Sequence, residues 1–153
     1  EVILGQLGFV LFRVGLTSAV FTLVMAPFGV YATVWGAFLA YLVQFLVALA
    51  FATPIFAFSA GLKNEAPFAL LFRLGMIPLF LFSGAFFPIS NLDPWMEALA
   101  RATPLWHGVD LTRMLTLDTV DVGTALVHVA YLATLAVLGW FWAVRRLGRR
   151  LSV

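Results

Sequence analysis

Residues 14–62 contain no charged side chain, an uninterrupted run of 49 residues. A soluble domain cannot hide such a stretch, because its helices must show a polar face to water. A helix that crosses a hydrocarbon core of about 30 Å needs roughly 20 apolar residues. The run is too long for one crossing and suits two. Its natural break is Ala26-Pro27-Phe28-Gly29, since Pro and Gly are the strongest local punctuators. The chain is therefore expected to be an integral membrane protein of the all-α class, with its first two spans in a tight hairpin.

Composition agrees. Hydrophobic residues make up 63% and charged residues 10%, against roughly 45–50% and 25% in soluble domains. Mean hydropathy is +1.06. There is no cysteine, which excludes disulfides and thiol chemistry. The chain opens at Glu1, and its first 13 residues hold Arg13 but no signal-peptide pattern. This opening suggests the C-terminal portion of a longer protein.

Four spans are expected, over residues 8–27, 33–57, 68–87 and 122–144. Lys63, Asn64 and Glu65 mark a polar turn between the second and third. The basic residues then fall unevenly. Arg13, Lys63, Arg73, Arg145, Arg146, Arg149 and Arg150 collect on one side. Only Arg101 and Arg113 lie on the other, among Asp93, Glu97, Asp110, Asp118 and Asp121. The positive-inside rule makes the first side cytoplasmic. Both chain ends then lie inside, and the Pro27 connection and segment 88–121 lie outside.

Segment 88–121 is too apolar for a solvated loop. Two short external helices are expected over 93–117, amphipathic or re-entrant, before the last span. Asp93 with Pro94, and Thr103 with Pro104, give two cap-plus-proline starts. Trp95, Leu99 and Ala102 share one face of the first helix, and Leu105, Val109 and Thr112 one side of the second. Trp95 and Trp106 suit the headgroup level.

Few side chains could carry chemistry. His107, Asp110 and Arg113 recur at i, i+3 and i+6. They form either a proton- or substrate-binding cluster or a hydrogen-bonded stripe that fixes its helix, and the second reading is favoured. Arg73, near the cytoplasmic end of its span, either contacts substrate or snorkels to the interface; snorkelling is preferred. Pro78 should kink the third span, as a hinge or as a packing shape. Gln44 is expected to bond between helices, and so is a neutral His128. The Arg145–Arg150 cluster is a topology anchor that also attracts anionic lipid. With two histidines and no cysteine, a zinc site is not expected. No glycine-rich phosphate loop is present, so this chain should bind no ATP. Nucleic-acid binding has no support, because the basic cluster is juxtamembrane.

One stretch is familiar. Phe82-Ser83-Gly84-Ala85-Phe86-Phe87-Pro88 closes a span, and Leu92, Pro94, Trp95 and Leu99 follow. Then comes Pro104-Leu105-Trp106-His107-Gly108-Val109-Asp110-Leu111-Thr112-Arg113. The pair resembles the C-terminal half of type-2 ATP-binding-cassette exporter permeases, in the branch of nodulation lipo-oligosaccharide exporters and anthracycline-resistance permeases. The matching positions are Ser83, Gly84, Phe87, Pro88, Pro104, Leu105, His107, Asp110 and Arg113. The resemblance implies that residues 1–153 are the last four of six spans, with two spans and a coupling helix upstream. It implies a permease for an amphiphile (drug, lipid or lipid-linked glycan) in a bacterial cytoplasmic membrane. It further implies a second permease, identical or not, and separate ATPase subunits that hold ATP and magnesium. A structural or assembly subunit of another membrane complex is the alternative. An intramembrane enzyme is a weaker one, because His107, Asp110 and His128 are sparse candidates for catalysis.

Overall fold

A computed structural model describes residues 2–61 and 66–151. The expected turn at Lys63, Asn64 and Glu65 lies outside the described residues. The described chain is helical, and no strand occurs in it. Helix α1 spans Val2–Met25 and leads through a short 3-10 turn, Ala26–Phe28, to α2, Val34–Ser59. Two short helices follow, α3 (Ala66–Leu71) and α4 (Ile77–Leu81), joined by a π-helical stretch, Phe72–Met76. After a 3-10 turn at Ile89–Asn91 come α5 (Pro94–Arg101), α6 (Pro104–Thr116) and α7 (Val122–Leu151).

Three helices are long and apolar enough to cross a membrane, over Leu4–Phe28, Val34–Ser59 and Val122–Arg146. They correspond to the first, second and fourth expected spans. The third, expected over 68–87, differs. Its helical part is Ala66–Leu81, about 24 Å long at 1.5 Å per residue. It stops before Ser83, and a non-helical stretch carries the chain on to Pro88. The cause is local. Pro78 has no N–H to offer the carbonyl one turn back, and the π-helical stretch lies directly before α4, where Pro78 occupies the first turn. Such single-turn widenings break the regular ladder.

Helix α2 is the centre of the bundle and packs on α1, α6 and α7. Ala40 and Val43 of α2 meet Leu111 and Leu115 of α6 in the buried core. Its contact with α7 is close because Gly139 lies against Pro54. A Cβ there would fall 2.4 Å from Thr53 Oγ1 and 2.7 Å from Pro54 Cδ. Thr53 also donates across the gap to the Ala136 carbonyl, at 3.0 Å. Small residues and interhelical hydrogen bonds are how helices associate where lipid is as apolar as leucine. Pro54 inside α2 had no counterpart in the sequence expectations. The outer surface is apolar: Phe9, Phe12, Leu23, Trp35 and Leu138 are each well over half exposed.

Two hydrogen bonds fix the ends. Ala32 N–H donates to the Thr116 carbonyl, at 2.9 Å, so the α1–α2 connection and the end of α6 share one end. At the other, Arg146 Nη1 donates to the Ala57 carbonyl, at 3.2 Å. A cation thereby meets the negative end of the α2 dipole. Arg146, expected only as part of a basic anchor, also joins α7 to α2.

Candidate functional site

The polar side chains converge where α5, α6 and α7 meet. Thr103 starts α6 as expected: its hydroxyl accepts from Trp106 N–H, at 3.3 Å. Asp93 stands at the N-cap of α5, but its side chain makes no capping bond. Backbone φ/ψ and Pro94 set that start instead.

His107 of α6 and His128 of α7 are buried, at 7% and 1% exposure. Their Nδ1 atoms are 2.6 Å apart, within a hydrogen bond. His128 Nε2 lies 3.1 Å from Asp110 Oδ2. The residues at i and i+3 of the expected stripe are thus joined through a third residue from another helix. Tyr131 stacks on His107, with centroids 4.0 Å apart, and donates to the Ala102 carbonyl. Trp106 packs edge-on against both imidazoles and carries the Arg101 guanidinium over its ring, at 5.8 Å. It is a wall of this site, whereas Trp95 stays exposed. On α6, outside the spanning helices, burial and then the charge of His128 hold the His107 imidazole below its ordinary range. The Arg101 carbonyl and Asp110 oppose that shift.

Arg113 points elsewhere. Its Nη2 donates to the Gly84 carbonyl, at 2.5 Å. Gly84 has φ +80, a backbone that favours glycine, and a Cβ there would meet Ile89 and Trp106. Beside it Ser83 is fully buried, donating to the Phe80 carbonyl and accepting from Ala85 N–H. Pro88 begins the following 3-10 turn, and Phe87 is half-buried. Pro104 opens α6.

Four cavities lie among the helices, none of them lined by the two histidines. Leu105, Val109, Thr112, Arg113 and Gln44 line one of about 470 Å³. Thr112, Gln44, Thr17, Ser18 and Tyr41 line another of about 340 Å³. Gln44 donates to Thr112 Oγ1 at 3.3 Å, the interhelical bond expected of it. The remaining two are nearly all apolar and flank the interrupted helix. Pro78, Leu79, Phe82, Trp95 and Leu99 border the first, about 330 Å³. Phe51, Phe72, Met76, Phe80 and Leu105 border the second, about 430 Å³. Arg73 lies exposed in the π-helical stretch. Among the described residues no group of three or more His or carboxylate side chains could hold a metal ion.

Long apolar helices, glycine-mediated packing and a lipophilic outer surface define a multi-pass α-helical membrane protein. Its sequence places it further: the family described as ABC-2 type transporter matches residues 1–117, and the chain belongs to that family. It is similar to nodulation protein J of Sinorhizobium fredii, at 31% identity over 99% of this chain and 57% of that protein. The corresponding protein of Rhizobium meliloti is 30% identical over the same shares. That of Rhizobium leguminosarum bv. trifolii is 32% identical, again over the same shares. The chain thus spans little more than half the length of the curated relatives it matches. No solved structure matches it.

Proposed function

We propose that this chain forms part of the export pathway of an ATP-binding-cassette transporter, and that the substrate is an amphiphile. The observation that carries the reading is the interrupted helix Ala66–Leu81 between two apolar cavities, beside α5 and α6, which the His107–His128–Asp110 and Arg113–Gly84 contacts hold. Cavities lined this way suit the hydrocarbon part of an amphiphile. Family membership supports a transport component rather than an enzyme.

In this reading two permeases pair, and two ATPase subunits dock on the basic, cytoplasmic face of a bacterial inner membrane. ATP and magnesium are held by those subunits, and this chain binds neither. Pro78, which lines one apolar cavity, is then a pathway or hinge residue, and Arg73 a pathway candidate. Reconstitution tests the proposal. The full-length permease with its ATPase, in proteoliposomes, should move a fluorescent lipid or cationic drug outward only with ATP and magnesium. Transport without the ATPase, or driven by an imposed proton gradient, would exclude it. A stable complex that never transports would favour an assembly role.

A further inference from the structure

His107 and His128 are the only histidines of the chain, and 21 residues separate them. The 2.6 Å between their Nδ1 atoms is too short for a bridging metal. Two nitrogens bound at about 2.0–2.1 Å in tetrahedral geometry lie roughly 3.3 Å apart. One proton must instead sit between the rings.

The proton count fixes which ring supplies it. An ionised carboxylate can only accept, so Asp110 requires a proton on His128 Nε2, 3.1 Å away. A neutral His128 then has its lone pair on Nδ1, and His107 must donate from Nδ1. That leaves the lone pair of His107 on Nε2. The Arg101 backbone carbonyl, another acceptor, faces the same ring from the end of α5. The neutral relay therefore runs one way, from His107 through His128 to Asp110, and has room for one more proton at its far end.

We propose that this relay is a proton-binding site whose vacant position is His107 Nε2, and that filling it alters how α6 is held between α5 and α7. The added proton makes His107 cationic, and the positive charge is shared along the relay toward Asp110. Several charged and titratable groups surround the site. On α5, Arg101 lies over Trp106 and is paired with Glu97 at 2.6 Å. On α6 are Asp110 and Arg113, the latter bonded to Gly84. On α7, Tyr131 is stacked on His107. Burial resists the charge, so uptake falls below the ordinary imidazole range. An unfolded His107 takes its proton more readily, so acid weakens the folded arrangement as pH drops below about 6.5. The external helices are thereby acid-responsive, whatever the substrate.

Nitrogen-15 NMR of ring-labelled histidine, in the whole chain in lipid nanodiscs, tests this directly. The expected spectrum at pH 7.5 shows His107 as the Nδ1–H tautomer and His128 as the Nε2–H tautomer. On acidification one proton enters, at His107 Nε2, with a midpoint below about 6.5 and signals of both rings moving together. Asp110→Ala removes the acceptor that orders the relay, so the two rings should no longer be held in one pair of tautomers. Two Nε2–H rings in the parent protein, or two independent titrations, would overturn the proposal. The same single pair of tautomers in a folded Asp110→Ala variant would do so too. If that variant does not fold, the parent tautomers still decide.

Discussion

Asp118 holds a left-handed backbone, which aspartate tolerates better than most residues but glycine better still. Its φ is +55, directly after α6, where Leu117 N–H bonds to the Arg113 carbonyl and Thr119 N–H to that of Met114. Helices commonly end this way, with glycine in the left-handed position. Asp118→Gly should therefore raise stability, by up to about 1 kcal/mol. Thermal melting in detergent is the measurement, and a lowered midpoint would contradict the argument. Asp121 differs, because its carboxylate is used. It accepts from the Thr124 hydroxyl and from Thr124 N–H, at 2.5 and 2.8 Å. Those bonds, the hydroxyl first, hold its carboxyl below the usual range. A depressed carboxyl contributes stability above its unfolded value, near 3.9, and loses it as pH falls through the folded value. The first turn of α7 should thus stay intact at pH 5 and loosen only in stronger acid. The amide shift of Thr124 should follow that titration, and a midpoint above 4 would refute the assignment.

At the scale of elements, the α2–α7 contact decides how tightly the bundle closes. Gly139→Ala would gain up to about 1 kcal/mol of helix propensity. Against that, the new methyl would lie 2.4–2.7 Å from Thr53 Oγ1 and from Pro54 atoms, one of them backbone. Overpacking typically costs 1–3 kcal/mol, so the clash should win and the melting temperature should fall. Gly148→Ala, with nothing within 4 Å, is the control and should hold or gain stability. Equal behaviour of the two variants would mean that the helices can part at no cost. The same elements show what the sequence makes legible. A charge-free run announces α1 and α2 because lipid demands uniform apolarity, and the Ala26–Gly29 break is where it was expected. The interruption of the third span was legible only in part: Pro78 signals a kink, but the π-helical stretch and the early stop at Leu81 depend on how the chain turns to meet α6. The His107–His128 contact was legible only in part: a bond from His128 to a neighbouring helix was expected, but not which residues it would meet. Helical periodicity relates residues within one helix, and these two meet only because α6 folds against α7. Arg113 and Gly84 show the same limit. They belong to two separate sequence motifs, which one hydrogen bond joins.

The whole molecule has two chemically different ends, and their orientation is the last consequence to test. One end gathers the α1–α2 connection and the end of α6; the other gathers the ends of α2 and α7, where Arg146 bonds to Ala57. This pairing matches the parity drawn from the basic residues. It does so although the third apolar helix is short, because the chain still returns to the α6 end at Gly84, where Arg113 meets it. The basic end carries Arg145 and Arg146 on α7, and translocation of such clusters is disfavoured. That end should face the cytoplasm, with α5 and α6 toward the outside. Single cysteines settle it, since the chain has none of its own. In intact cells an impermeant thiol reagent should label Ser90→Cys and Thr119→Cys, both at exposed positions, and should label Gly148→Cys only after the membrane is opened. The reverse pattern would invert the molecule. It would also place the His107–His128–Asp110 relay against the buffered cytoplasm, where external acid could not reach it.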